Sequence, residues 1–119
     1  MIHYPIVGAD YLLYPSDPAT GTGLWMRSGV TLAQVYLDGT ATVTYRVQDD
    51  EGVDLTGDTW PQTAVYVTGS QGKFVVLLRD TLAFTPHVEC NCVITVDAGG
   101  DAHRVWKERL HPLPPEDAG

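Results

Sequence analysis

The sequence predicts an all-β fold, an antiparallel sandwich of about seven or eight strands. Three observations carry this expectation. Apolar residues recur with a period of two in segment after segment. Gly, Asp and Pro punctuate those segments roughly every ten residues, the spacing of a sandwich or barrel. No window places apolar residues at the spacing of an amphipathic helix over three turns.

The clearest strand covers 88–96. Val88, Cys90, Cys92, Ile94 and Val96 share one face, and Glu89, Asn91, Val93, Thr95 and Asp97 share the other. Such a strand belongs to a sheet covered on one side. Thr85-Pro86 opens it, and the turn Asp97-Ala98-Gly99-Gly100-Asp101 leads to a return strand over 103–110. Upstream, 40–47 alternates equally well, with Ala41, Val43, Tyr45 and Val47 inward. Asp38-Gly39 is a two-residue hairpin signal that makes 32–37 its expected partner. A further hairpin is expected from 63–68 and 73–79 around Gly69-Ser70-Gln71-Gly72, with Phe74, Val76 and Leu78 inward. Residues 14–23 read as a loop. The expected division is an extended N-terminal arm and loop over 1–27, a sandwich over 28–110, and a flexible Pro-rich tail over 111–119.

The chain has 119 residues, enough for one domain. Its formal net charge of −8 repels phosphate backbones, so direct nucleic-acid binding is not expected. The opening residues lack a basic stretch and an uninterrupted apolar run, so neither a signal peptide nor a membrane anchor is expected. Cys90 and Cys92 lie two apart on one strand face, where a mutual disulfide would be strained.

Candidate chemistry is thin. His87, Cys90, Cys92 and His103 are a metal-like set, but both cysteines sit in an apolar row, where cysteine acts as a small hydrophobe. Asp49, Asp50, Glu51, Asp54 and Asp58 cluster without the ligand order of a calcium loop and suit an ordinary turn. Gly21-Thr22-Gly23 lacks the strand and helix of a phosphate loop. Ser16, Ser28 and Ser70 lie outside any nucleophile elbow. No catalytic residue, cofactor or metal is therefore expected. Aromatic residues supply the expected contact surface between subunits: Tyr4, Tyr11, Tyr14, Trp25, Trp60 and Trp106.

The run from Ala41 to Leu110 carries an ordered set of short motifs. ATVTYRVQDDEGVDLTG ends at Gly57, GKFVVLL follows, and VECNCVITVDAGGDAHRVW completes it. In this order the run resembles the immunoglobulin-like β-domain of tailed-bacteriophage structural proteins of the tail and baseplate. The resemblance implies an Ig-like sandwich without catalytic residues. It implies a structural component of the virion (tail, baseplate, connector or head decoration), made in the host cytoplasm. Its expected partners are copies of itself and other virion proteins, with neither nucleic acid nor membrane contacted directly. The alternative expectation is a binding module that recognises a host-surface or carbohydrate ligand through exposed aromatics.

Overall fold

The computed structural model describes residues 2–15, 25–27, 34–36, 41–70, 72–97 and 103–115. Within them the fold is all-β, with ten strands, eight of them in two sheets and two in a separate pair, and no helix. The strands in chain order are β1 (Ile2–His3), β2 (Tyr11–Leu13), β3 (Trp25–Arg27), β4 (Gln34–Tyr36), β5 (Thr42–Gln48), β6 (Gln62–Thr63), β7 (Val65–Tyr66), β8 (Phe74–Leu78), β9 (Cys90–Asp97) and β10 (His103–Leu110). The larger sheet has the order β1-β10-β9-β5-β6 and the smaller one β2-β8-β7. β3 and β4 pair with each other, Trp25 opposite Tyr36.

Alternation explains the central strands. β5, β9 and β10 are antiparallel neighbours, with Tyr45 opposite Ile94 and Ile94 opposite Trp106. Paired residues point to the same side, so the rows of the three strands merge into one buried face. That face meets Leu13 of β2 and Phe74, Val76 and Leu78 of β8, all members of one core. The Tyr45 hydroxyl donates to the Leu77 carbonyl at 2.8 Å and ties the two sheets together. Between β6 and β7 the chain changes sheet at Ala64, whose amide still donates to Val43 of the larger sheet at 2.8 Å.

Four expectations need correction. The larger sheet is mixed, not antiparallel, because β1 runs parallel to β10 with Ile2 opposite Arg109. The segment expected to partner 40–47 pairs elsewhere: β4 pairs with β3 and β5 pairs with β9 and β6, while Asp38 and Gly39 themselves lie outside the described residues. Val88 lies before β9 and is 56% exposed, not inward. The boundaries proposed for an arm and a tail do not separate them from the sandwich. β1 and β2 belong to the two sheets, and Leu13 is only 1% exposed. Pro112 is buried and Leu113 bridges to Ile6 in parallel. An apolar stretch of this length is stabilised by covering its own sandwich, which sequence periodicity broken by Pro5 and Pro15 could not reveal.

Candidate binding cleft

Two loops that follow the ends of β5 and β8 build a concave feature. The first loop starts with a turn in which Asp49 caps its own backbone. Its Oδ1 accepts from the amides of Glu51 at 2.8 Å and Val53 at 3.0 Å. Gly52 supplies the positive φ that this turn needs, at 83°. The chain then returns along β5, with the Leu55 amide donating to Val47 at 2.8 Å. Trp60 closes the loop by donating its indole N–H to the Leu55 carbonyl at 2.7 Å.

The second loop crosses the first at Gly57. A Cβ on Gly57 would sit 2.0 Å from the Thr81 carbonyl oxygen, so only glycine fits the crossing. Thr81 donates its hydroxyl to the Gly57 carbonyl at 2.6 Å, and the Ala83 amide donates to Thr56 at 3.0 Å. Leu82 and Phe84 anchor the second loop in the core.

Between these loops lies a cleft of about 320 Å³, lined by residues that include Asp49, Asp54, Leu55, Phe84, Val88, Glu89 and Cys90. Its carboxylates are part of an ion-pair network. Asp54 accepts from Arg46 at 3.2 Å and from Gln48 at 3.0 Å. Glu89 accepts from Arg109 Nε at 3.3 Å, while Asp50 takes both terminal nitrogens of the same guanidinium. The Arg109 hydrogen bond holds the Asp50 carboxyl below its usual range. Asp49 has no cationic partner among the described residues. Burial pushes the Cys90 thiol up to about 11, so it is no nucleophile at neutral pH. Cys92 is pushed up further by the same cause.

The metal-like set does not converge. Cys90 and Cys92 are free and buried in the core. His103 pairs with Asp97 at one end of the β9–β10 ladder while Cys90 pairs with Leu110 at the other. His87, held at a φ of 62°, instead lies 3.3 Å from His111 through Nδ1 and Nε2. Among the described residues no three His, Cys, Asp or Glu side chains are arranged to hold a metal ion. The acidic cluster is dispersed in the same way, since Asp58 pairs with Arg79 at 3.2 Å.

The six aromatic residues do not form one surface. Trp106 is 6% exposed and lies in the core under Arg104, 4.1 Å from its ring centroid. Trp60 and Tyr11 are half-buried and pack on the same core. Of these three only Trp106 is a core residue, and Tyr11 leans on the core because it shares the inward side of β2 with Leu13. Tyr4 is exposed and packs its ring near His111, and Tyr14 is exposed with Lys73 Nζ 4.9 Å from its ring centroid. The Trp25 side chain lies outside the described residues.

A different apolar surface appears on the outer face of the smaller sheet. Leu12 pairs with Leu77, and Val75 pairs with Val65. Leu77 and Val75 alternate with the buried residues of β8, so all four side chains form one outward row. Leu12 is 54% and Val65 66% exposed. The uninterrupted run FVVLL was the available signal, because a strand apolar on both faces implies that both faces are to be covered.

Fold and surface together define a two-sheet β-domain with an acidic cleft at the loops and an apolar row on the outer sheet face. No family model, no curated protein and no solved structure matches the chain.

Proposed function

We propose that the chain is a non-enzymatic structural subunit of a tailed-bacteriophage virion. In this reading it is an immunoglobulin-like sandwich that assembles through repeated contacts with copies of itself and with other virion proteins. The observation that carries the assembly reading is the outward row Leu12, Leu77, Val75 and Val65. Contiguous apolar surface on a small domain is stabilised when a neighbour covers it. An apolar sheet face is also a surface that repeated copies can pack by symmetry. Support for the virion comes from the motif order between Ala41 and Leu110.

Sedimentation of the purified chain tests the reading. The wild type is expected to form oligomers, and the double variant Leu12→Lys with Val65→Lys is expected to be monomeric with an unchanged β-type circular dichroism spectrum. A wild type that stays monomeric at high concentration removes the self-assembly reading. A gene neighbourhood without virion components removes the phage reading.

A second reading is a module that binds a host-surface or carbohydrate ligand, favoured by the exposed rings of Tyr4 and Tyr14. Retention on a glycan array that is lost in Tyr14→Ala is its expected signature.

A further inference from the structure

We infer that His87 and His111 form a two-nitrogen chelate for a zinc ion. The site lies apart from the apolar row on the smaller sheet and does not depend on the assembly reading.

Backbone contacts bring the two rings together. His111 directly follows β10, and its amide donates to the His3 carbonyl at 2.8 Å. His87 lies in the segment before β9, and its amide donates to the Pro112 carbonyl at 2.8 Å. Each histidine is thus held at its backbone, one of them bonded to the other's chain neighbour. The His111 ring also packs beside Tyr4, with centroids 5.8 Å apart. His87 keeps a φ of 62°, and among the described residues no other non-glycine residue has a positive φ. Left-handed backbone is uncommon outside glycine, and here it places an imidazole against a second one.

The separation then selects the ion. Nδ1 of His87 and Nε2 of His111 are 3.3 Å apart, with the ring planes at 63°. As a hydrogen bond, this contact uses one proton and one lone pair; as a chelate, it uses a lone pair from each neutral ring. Zinc–imidazole bonds of about 2.0–2.1 Å that span 3.3 Å meet at about 104–111°. That range includes the tetrahedral angle that zinc takes. A square-planar ion would need its two nitrogens about 2.8–3.0 Å apart, so the bite suits zinc better than Cu²⁺ or Ni²⁺. Calcium and magnesium take oxygen ligands instead. His87 is exposed and His111 half-buried, so an ion reaches both without opening the core. The net charge of −8 raises the local concentration of any cation. With two ligands from the chain, the remaining tetrahedral positions belong to water.

Isothermal titration of the full chain with zinc chloride, in a buffer free of chelators, tests the site, with magnesium chloride as the control. A saturable zinc isotherm is expected, with no response to magnesium. In NMR spectra the ring signals of His87 and His111 are expected to shift with zinc, while those of His3 and His103 stay in place. His111→Gln and His87→Asn each remove one ligand, and asparagine is chosen because it tolerates left-handed backbone. Each variant is expected to weaken zinc at least about tenfold, no less than the loss of an outer partner of a metal ligand. Should His87→Asn disturb its loop, His111→Gln alone carries the test. The proposal is overturned if the isotherm does not saturate, if both variants bind zinc as the wild type does, or if zinc moves the rings of His3 or His103 instead.

Discussion

The crossing of the two loops gives the sharpest prediction, because two glycines separate conformational strain from steric conflict. Gly52 and Gly57 both have positive φ, at 83° and 103°. Around Gly52 a Cβ would meet nothing within 4 Å. Gly52→Ala therefore carries only the penalty of an L-residue in left-handed backbone, about 1–2 kcal/mol, partly offset by a stiffer unfolded chain. Around Gly57 the same Cβ would lie 2.0 Å from the Thr81 oxygen and 2.8 Å from its carbonyl carbon. Both atoms are backbone, so no side chain can swing aside. Relief requires the loops to separate, which breaks the Thr81 hydroxyl bond to Gly57 and the Ala83 amide bond to Thr56. At about 1 kcal/mol for each bond, Gly57→Ala is expected to cost about 3–4 kcal/mol in total. Urea unfolding followed by tryptophan fluorescence measures both variants on one scale. If Gly57→Ala and Gly52→Ala agree to within about 0.5 kcal/mol, the loop crossing does not hold the cleft together.

Other expected outcomes follow from single contacts. Tyr45→Phe removes the hydroxyl that joins the sheets and is expected to cost about 1–2 kcal/mol by urea unfolding. Leu13→Ala is expected to cost about 2–5 kcal/mol in the same assay; a cost near zero would mean that β2 is dispensable. Cys90 and Cys92 are expected to resist a thiol reagent in the folded state and to react on unfolding. Burial raises the Cys90 thiol from 9.0 to about 11, so its contribution to stability is full below the unfolded value and is lost as pH rises through that window. For Asp50, lowered by its bond to Arg109, the sign is opposite: its contribution is present above the ordinary carboxylate range and is lost as pH falls through the depressed value. The acid limb of a stability-versus-pH curve is expected to flatten in Asp50→Asn.

The parts of the fold that were legible in sequence are the strands with one face buried and the other solvated. β9, β10 and β5 emerge from alternation within a residue or two of their ends, since period two follows directly from strand geometry. Pairing was less legible. Asp38-Gly39 is a local signal that lies outside the described residues, whereas β5 pairs with β9 and β6, both far along the chain, and β4 pairs with β3. β1 and β2 are two and three residues long, too short for a pattern to declare itself. The cleft was invisible for a related reason. Its walls come from 49–56 and 83–90, and their distance is set by the contact of Gly57 with Thr81. The Asp-Leu-Thr-Gly motif marked the place without showing what it touches. The acidic cluster was visible, but its partners come from elsewhere in the chain, Arg79 from just past β8 and Arg109 from β10.

The parallel pairing of β1 with β10 changes how the segment 2–7 is understood. It is an edge of the larger sheet continued beyond the strands themselves. The His111 amide donates to His3 at 2.8 Å, the Leu113 amide to Pro5 at 2.9 Å, and the Val7 amide to Leu113 at 3.0 Å. The prolines fit this ladder because their missing N–H groups are not used: Pro5 contributes its carbonyl, and the Pro112 carbonyl accepts from His87 at 2.8 Å. Proline there limits edge-to-edge addition by another chain, since it has no donor to offer. The edge therefore suits closure, whereas the outer face of β2, β8 and β7 keeps its apolar row. The pairing also spans over a hundred residues of chain, from Ile2 to Arg109. Closing so long a loop has an entropic cost before any contact forms, so this ladder is expected to form after β5, β9 and β10 have made the sheet on which it docks. A contact surface that includes Tyr4, beside His111 on this late ladder, would be completed only in the folded domain, whereas the apolar row needs only the smaller sheet.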